Sequence, residues 1–175
     1  KEVPGAGWVD NPFLVETLCQ AEAILYLPRA YYCYRDETPE KTAQMAQRDP
    51  LLPFERWNDM VDVLERLGVT DPAVWTPQIT RAFTYMGGIV EFTGVSGDPA
   101  IEAAVHRMYD RMDPALVFAD PRVSPAAKEA FARYRGIADP PISRLAHIRD
   151  LVRETCYNTW NKGLLETLRM ARTYL

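Results

Sequence analysis

Proline is poorly tolerated inside helices and central strands, so the placement of fourteen prolines in 175 residues limits what this chain can fold into. Several follow directly on residues that cap helices: Asn11-Pro12, Thr38-Pro39, Thr76-Pro77, Asp98-Pro99 and Ser124-Pro125. Proline's fixed φ and missing N–H suit the first helical position, and the side chain before it can accept from a free backbone N–H. Each pair reads as a helix start. The chain is therefore expected to be mainly α.

Apolar periodicity supports this. Phe54, Trp57, Met60, Val61, Leu64 and Leu67 recur at three and four, with Gly68 as a C-terminal cap. Ile79, Phe83, Met86 and Val90 follow Pro77, in a helix that Gly87-Gly88 is expected to weaken or break. Ile101, Val105, Met108, Tyr109 and Met112 mark another helix, and Ala127, Ala130, Phe131 and Tyr134 one that stops at Gly136. After Pro141, Ile142, Leu145, Ile148, Leu151, Val152 and Cys156 share one side of a long stretch that Gly163 divides from a last helix.

Residues 24–35 break the pattern, because Ile, Leu and aromatic residues flank Pro28-Arg29-Ala30. They read as two short strands, 24–27 and 31–34, forming a β-hairpin. A lone hairpin is marginal in water, so it needs a sheet or a helical face to rest on. The helix after Pro12 carries Phe13, Leu14, Val15, Leu18, Cys19, Ala21 and Ala23, with Glu16 and Gln20 as its polar stripe, and reads as buried.

Composition excludes several classes of function. A net charge of −4 argues against nucleic acid as a partner, since phosphate binding needs a basic face. Residues 142–175 hold six Lys or Arg against three acids, so the C-terminus is basic at +3 and the remainder stands at −7. Cys19, Cys33 and Cys156 are too scattered for a disulfide framework, which suggests a reducing compartment. No apolar run approaches the roughly 18 residues of a membrane span, and the N-terminus has no signal-peptide core. The expected location is cytoplasmic.

Chemistry concentrates near the start, where Trp8, Asp10, Asn11, Pro12 and Phe13 precede that helix and Tyr32, Tyr34 and Arg35 end the hairpin. On the residues alone, Asp10 or Asn11 is a helix cap, beside a dipole end that stabilises anions. The order of these residues resembles the acceptor half of family-two, GT-A type inverting glycosyltransferases over roughly residues 5–70. In that family an acidic dipeptide opens such a helix, and its Asp is the catalytic base. Val9 stands where the family usually has Glu, which removes any contact that Glu would make but leaves the Asp.

The resemblance implies that Asp10 is the base and that Trp8, Asn11, Tyr34 and Arg35 bind substrate. It also implies that the hairpin is the remnant of a GT-A mixed sheet and that the chain begins partway through an enzyme. The donor half, with its Asp-x-Asp and divalent metal, would lie upstream, so no cofactor is expected in this chain. Residues 1–70 would be the acceptor-side part of the catalytic domain, and residues 71–175 a C-terminal helical region. The implied partners are a sugar or lipid-linked acceptor and the upstream nucleotide-binding half.

Other features lead less far. Asp59 and Asp62 share a helical face with Glu65, which reads as a solvated side, and two histidines without ligand partners make no zinc site. The basic C-terminal end, with apolar residues between its arginines, has two readings: a helix packed on the domain with solvated arginines, or a weak contact with an anionic membrane surface that would place the protein peripherally at the inner face. The competing class is a non-catalytic helical interaction module in which Asp10 only caps a helix.

Overall fold

The structure, a computed structural model, describes residues 10–29, 48–93, 97–165 and 167. These residues form seven helices: α1 (Asp10–Gln20), α2 (Leu52–Arg66), α3 (Pro72–Thr93), α4 (Pro99–Asp110), α5 (Pro114–Ala119), α6 (Pro125–Arg135) and α7 (Arg144–Lys162). They fall into two compact units, Lys1–Met112 and Asp113–Leu175. No described helix is long and apolar enough to cross a membrane.

In the first unit α2 is the hub, packed against α1, α3 and α4. Phe54, Trp57, Met60, Val61 and Leu64, which the periodicity marks as its core face, are all buried, and Leu52 and Val63 join them. Trp57 is fully buried, and its indole Nε1–H donates to the Gln78 carbonyl of α3 at 2.8 Å. A buried indole N–H without an acceptor would be costly, so this bond helps fix where α3 crosses α2. Gly68, at φ +66°, ends α2: its N–H reaches the Glu65 carbonyl at 3.1 Å, and the Val69 N–H reaches Leu64 at 2.9 Å. This is the Schellman closure that the glycine signals.

The start of α3 differs from expectation. Asp71 caps the helix by accepting from the Ala73 N–H at 2.8 Å, Pro72 opens it, and Pro77 lies inside. Without an N–H, Pro77 cannot bond the Ala73 carbonyl, and the helix absorbs that loss near its first turns. Thr76 does not cap; its hydroxyl donates back to the Pro72 carbonyl at 2.8 Å. Gly87-Gly88 does not break α3 either, because buried Met86 and Ile89 hold the helix on both sides of the pair. The cost of helical glycine, about 1 kcal/mol each, is smaller than the return from that packing.

Helix α1 lies on α2 along a narrow stripe, with only Val15 buried and Asn11, Pro12, Glu16 and Cys19 partly covered. Phe13 is 71% exposed, and Leu14 and Leu18 are also exposed, so the expectation of a buried helix is corrected. A helix that is apolar on most sides reports that it can be buried. It does not report how many neighbours it has.

Residues 24–27 form no strand, and Ile24, Leu25, Tyr26 and Leu27 are exposed. The second expected strand, 31–34, lies outside the described residues, as does Thr38-Pro39. Of the expected fold, the mainly α character stands, and no strand occurs among the described residues.

In the second unit Ser124 caps α6 through the Ala127 N–H at 3.2 Å, and Gly136, at φ +63°, ends it. Asp113-Pro114, a pair not among the expected starts, opens α5, with Asp113 accepting from the Ala115 N–H at 2.8 Å, and in the first unit Asp98 caps α4 through the Ala100 N–H at the same distance. The buried face of α6 is Lys128, Phe131 and Ala132, while Ala130 and Tyr134 are exposed. Phe131 meets Phe118 edge-on at 5.9 Å.

Two glycines should respond to the same substitution with opposite signs. Gly87 is exposed in a helix interior, and a Cβ there would touch nothing within 4 Å, so Gly87→Ala should stabilise by about 0.5–1 kcal/mol. Gly68 has equal room but a left-handed backbone, so Gly68→Ala should destabilise by about 1–2 kcal/mol. Urea unfolding of both variants measures the two shifts.

Candidate functional site

Asp10, the residue the sequence singles out, is the first residue of α1 and is exposed. Next to it Asn11, expected as a cap or substrate contact, lies within α1 and donates through Nδ2 to the Tyr85 hydroxyl of α3 at 2.9 Å. About a turn and a half along, Glu16 accepts from Arg66 of α2 at 2.6 Å. These two bonds tie α1 to α3 and α2 by its polar residues, where its apolar contact is thin. Trp8, Tyr34 and Arg35 lie outside the described residues.

The N-terminus of α1 therefore meets a polar group that sequence reading did not find. Burial raises the Tyr85 pKa above its usual range, the Arg81 charge and the Asn11 hydrogen bond oppose that rise, and the Asp10 charge adds to it. Asp10 and Arg81 both act on the Tyr85 phenol, so the three groups share one electrostatic neighbourhood. Arg81 also donates to the Met60 sulfur at 3.3 Å. Arg81 and Tyr85 are spaced i, i+4 on α3, beside its apolar face rather than within it. That spacing was the available signal.

Chemically, the arrangement offers a solvent-accessible carboxylate on a helix end whose position is set by hydrogen bonds, with a guanidinium and a phenol close by. A carboxylate so placed can accept a proton from a hydroxyl brought to it. The described residues contain no group of three or more His, Cys, Asp or Glu able to hold a metal. The resemblance places its divalent metal in the upstream half, not among these residues.

The other charged clusters are architectural. Arg111 reaches Asp62 at 2.7 Å, Glu65 at 2.8 Å and the Asn58 side chain at 3.1 Å, joining the end of α4 to α2. Burial alone would lower the Arg111 pKa, but the two carboxylates outweigh it and leave it raised. The expected solvated face of α2 is thus half of an ion-pair network. In the second unit buried Asp120 pairs with Arg122 at 2.9 Å. Lys128, also buried, donates to the Phe118 carbonyl at 2.9 Å, and burial lowers its pKa against the pull of Asp120. His147 Nδ1 faces the Pro121 carbonyl at 2.7 Å, where only an Nδ1–H can donate.

Comparison with known protein families, characterised proteins and solved structures finds no match to this chain.

Loss of the Tyr85 hydroxyl tests how α1 is held. Tyr85→Phe removes the acceptor of Asn11 and should destabilise by about 0.5–1.5 kcal/mol in chemical unfolding. It should also change the alkaline limb. Because the folded pKa is raised, the folded protein retains a proton that the unfolded chain releases near pH 10. The Tyr85 contribution is therefore whole below that pH and is lost as pH rises through the folded value. Tyr85→Phe should flatten stability loss above pH 10, while Tyr109, whose pKa burial also raises, keeps its share.

Proposed function

We propose that this chain is the acceptor-side part of a family-two, GT-A type inverting glycosyltransferase, with Asp10 as the general base. The observation that carries the proposal is the state of Asp10: an exposed carboxylate opening α1, on a helix end held by the Asn11–Tyr85 hydrogen bond. The residue order from Asp10 through Pro12 and Phe13 to Tyr34 and Arg35 supports the same assignment.

In this reading the acceptor hydroxyl lies against Asp10 and gives up its proton to the carboxylate as its oxygen attacks the anomeric carbon. The bond from that carbon to the nucleotide diphosphate breaks on the opposite face, and the configuration inverts. Holding the hydroxyl and the base in line supplies much of the rate by proximity, and proton removal adds its own factor. Arg35 would meet leaving-group charge with a fixed fork of donors, and Trp8 would stack on the acceptor sugar.

The nucleotide-binding half is assigned to another part of the enzyme. The exposed side of α1, with Phe13, Leu14 and Leu18, is the surface that half would cover. The same surface favours a second reading, a non-catalytic helical module that binds a partner there.

Sugar nucleotides added with a divalent cation to the 175-residue chain should neither raise its Tm nor be hydrolysed. Clear binding or turnover would sink the half-site account. When the chain is joined to its nucleotide-binding half, Asp10→Asn should lower kcat by about 10²- to 10⁴-fold with little change in donor KM. Transfer that survives this substitution would leave Asp10 as a cap and favour the module.

A further inference from the structure

The second unit presents an apolar face that its own core does not use. The sequence places Leu145, Ile148, Leu151 and Val152 on one side of α7, and the spacing suggests a core face. In the structure they are 77%, 56%, 48% and 58% exposed. The side of α7 turned to its own unit carries His147 and the buried Asp150 instead. Trp160, 89% exposed, stands at one edge of that side toward the helix C-terminus.

The charges around this face have a sign pattern. At about 100° per residue, Arg149 and Arg153 run along one edge of the apolar arc, while Arg144 and Lys162, at opposite ends of the helix, fall within the arc between Leu151 and Ile148. All four are exposed. Both acids of α7 lie away from the arc: Asp150 is buried and pairs with Arg153 at 2.6 Å, and Glu154 is on the far side. Arg144 has only a long contact to Glu129, at 3.7 Å, leaving its charge available.

We infer that α7 is a docking helix for an anionic lipid surface, lying in the plane of the interface. A convex cylinder with an apolar arc, cations along one edge and at both ends, and an aromatic side chain on that cationic edge complements a flat surface whose headgroups are negative and whose interior is apolar. Without the flanking cations the stripe would fit a protein groove equally well. The charge pattern is what favours lipid. No described helix is long and apolar enough to span the bilayer, so the contact is peripheral. The inference does not rest on the glycosyltransferase reading, and its test involves no sugar transfer.

The test is flotation of the chain with phosphatidylcholine vesicles, with and without one-third phosphatidylglycerol, at low salt and at high salt. Binding should require the anionic lipid and fall at least tenfold at high salt, since exposed charges are then screened. Ile148→Asp with Val152→Asp should abolish it, and Arg149→Glu should weaken it severalfold. All three positions are exposed, so circular dichroism should show the folded helix content unchanged. Equal binding to neutral vesicles, no binding at all, or binding indifferent to the two Asp substitutions would overturn the inference. Sedimentation velocity gives an independent check: a stable dimer that those same substitutions dissolve would assign the face to a second copy and likewise overturn it.

Discussion

The first unit depends on the burial of one side chain with its polar atom satisfied. Trp57 has no exposed surface, and its indole N–H reaches the Gln78 carbonyl, so α2 and α3 are fixed to each other by packing and direction at once. Packing alone would permit α3 to slide along α2, because one apolar contact replaces another at small cost. A buried N–H has far fewer acceptable positions. With α3 set, Arg81 and Tyr85 stand where the start of α1 can meet them, and the position of Asp10 follows.

Helix α1 shows how little apolar contact is needed when polar bonds supply direction. Val15 is its one buried residue, yet Asn11 and Glu16 reach two different helices. Such a helix keeps its polar end positioned and leaves Phe13, Leu14 and Leu18 at the surface. In the second unit the same economy applies to charge. Asp120, Lys128 and Asp150 are buried, and each has a partner from its own unit, because an unpaired charge in that position would oppose folding. His147 and Asp150 occupy the covered side of α7, and its apolar side faces outward.

Much of the secondary structure was legible. Asp98-Pro99, Ser124-Pro125, Gly68 and Gly136 act as the caps and stops their local chemistry suggests, because a cap needs only its own few residues. Thr76-Pro77 misled for the same reason: Asp71-Pro72, five residues earlier, is an equally good start, and the choice between them falls to packing. The Gly87-Gly88 pair misled because propensity is a small term beside the burial of Met86 and Ile89. At the candidate site the sequence pointed to Asp10 and Asn11. It could not point to Tyr85, which is 74 positions from its partner Asn11.

The sequence by itself determined that the chain is mainly helical, where α4 and α6 begin, where α2, α6 and α7 end, and which faces are apolar. These follow from interactions within a few residues, where proline, a capping side chain or a left-handed glycine acts directly on the backbone. The tertiary structure alone decided which apolar faces are covered. Phe54 and Leu145 carry the same kind of periodic signal, yet one is buried and the other lies in solvent. It also decided that Asp10 shares its surroundings with Arg81 and Tyr85. The physical reason is that periodicity measures a helix against itself, while burial and electrostatic neighbourhood are set by helices distant in sequence.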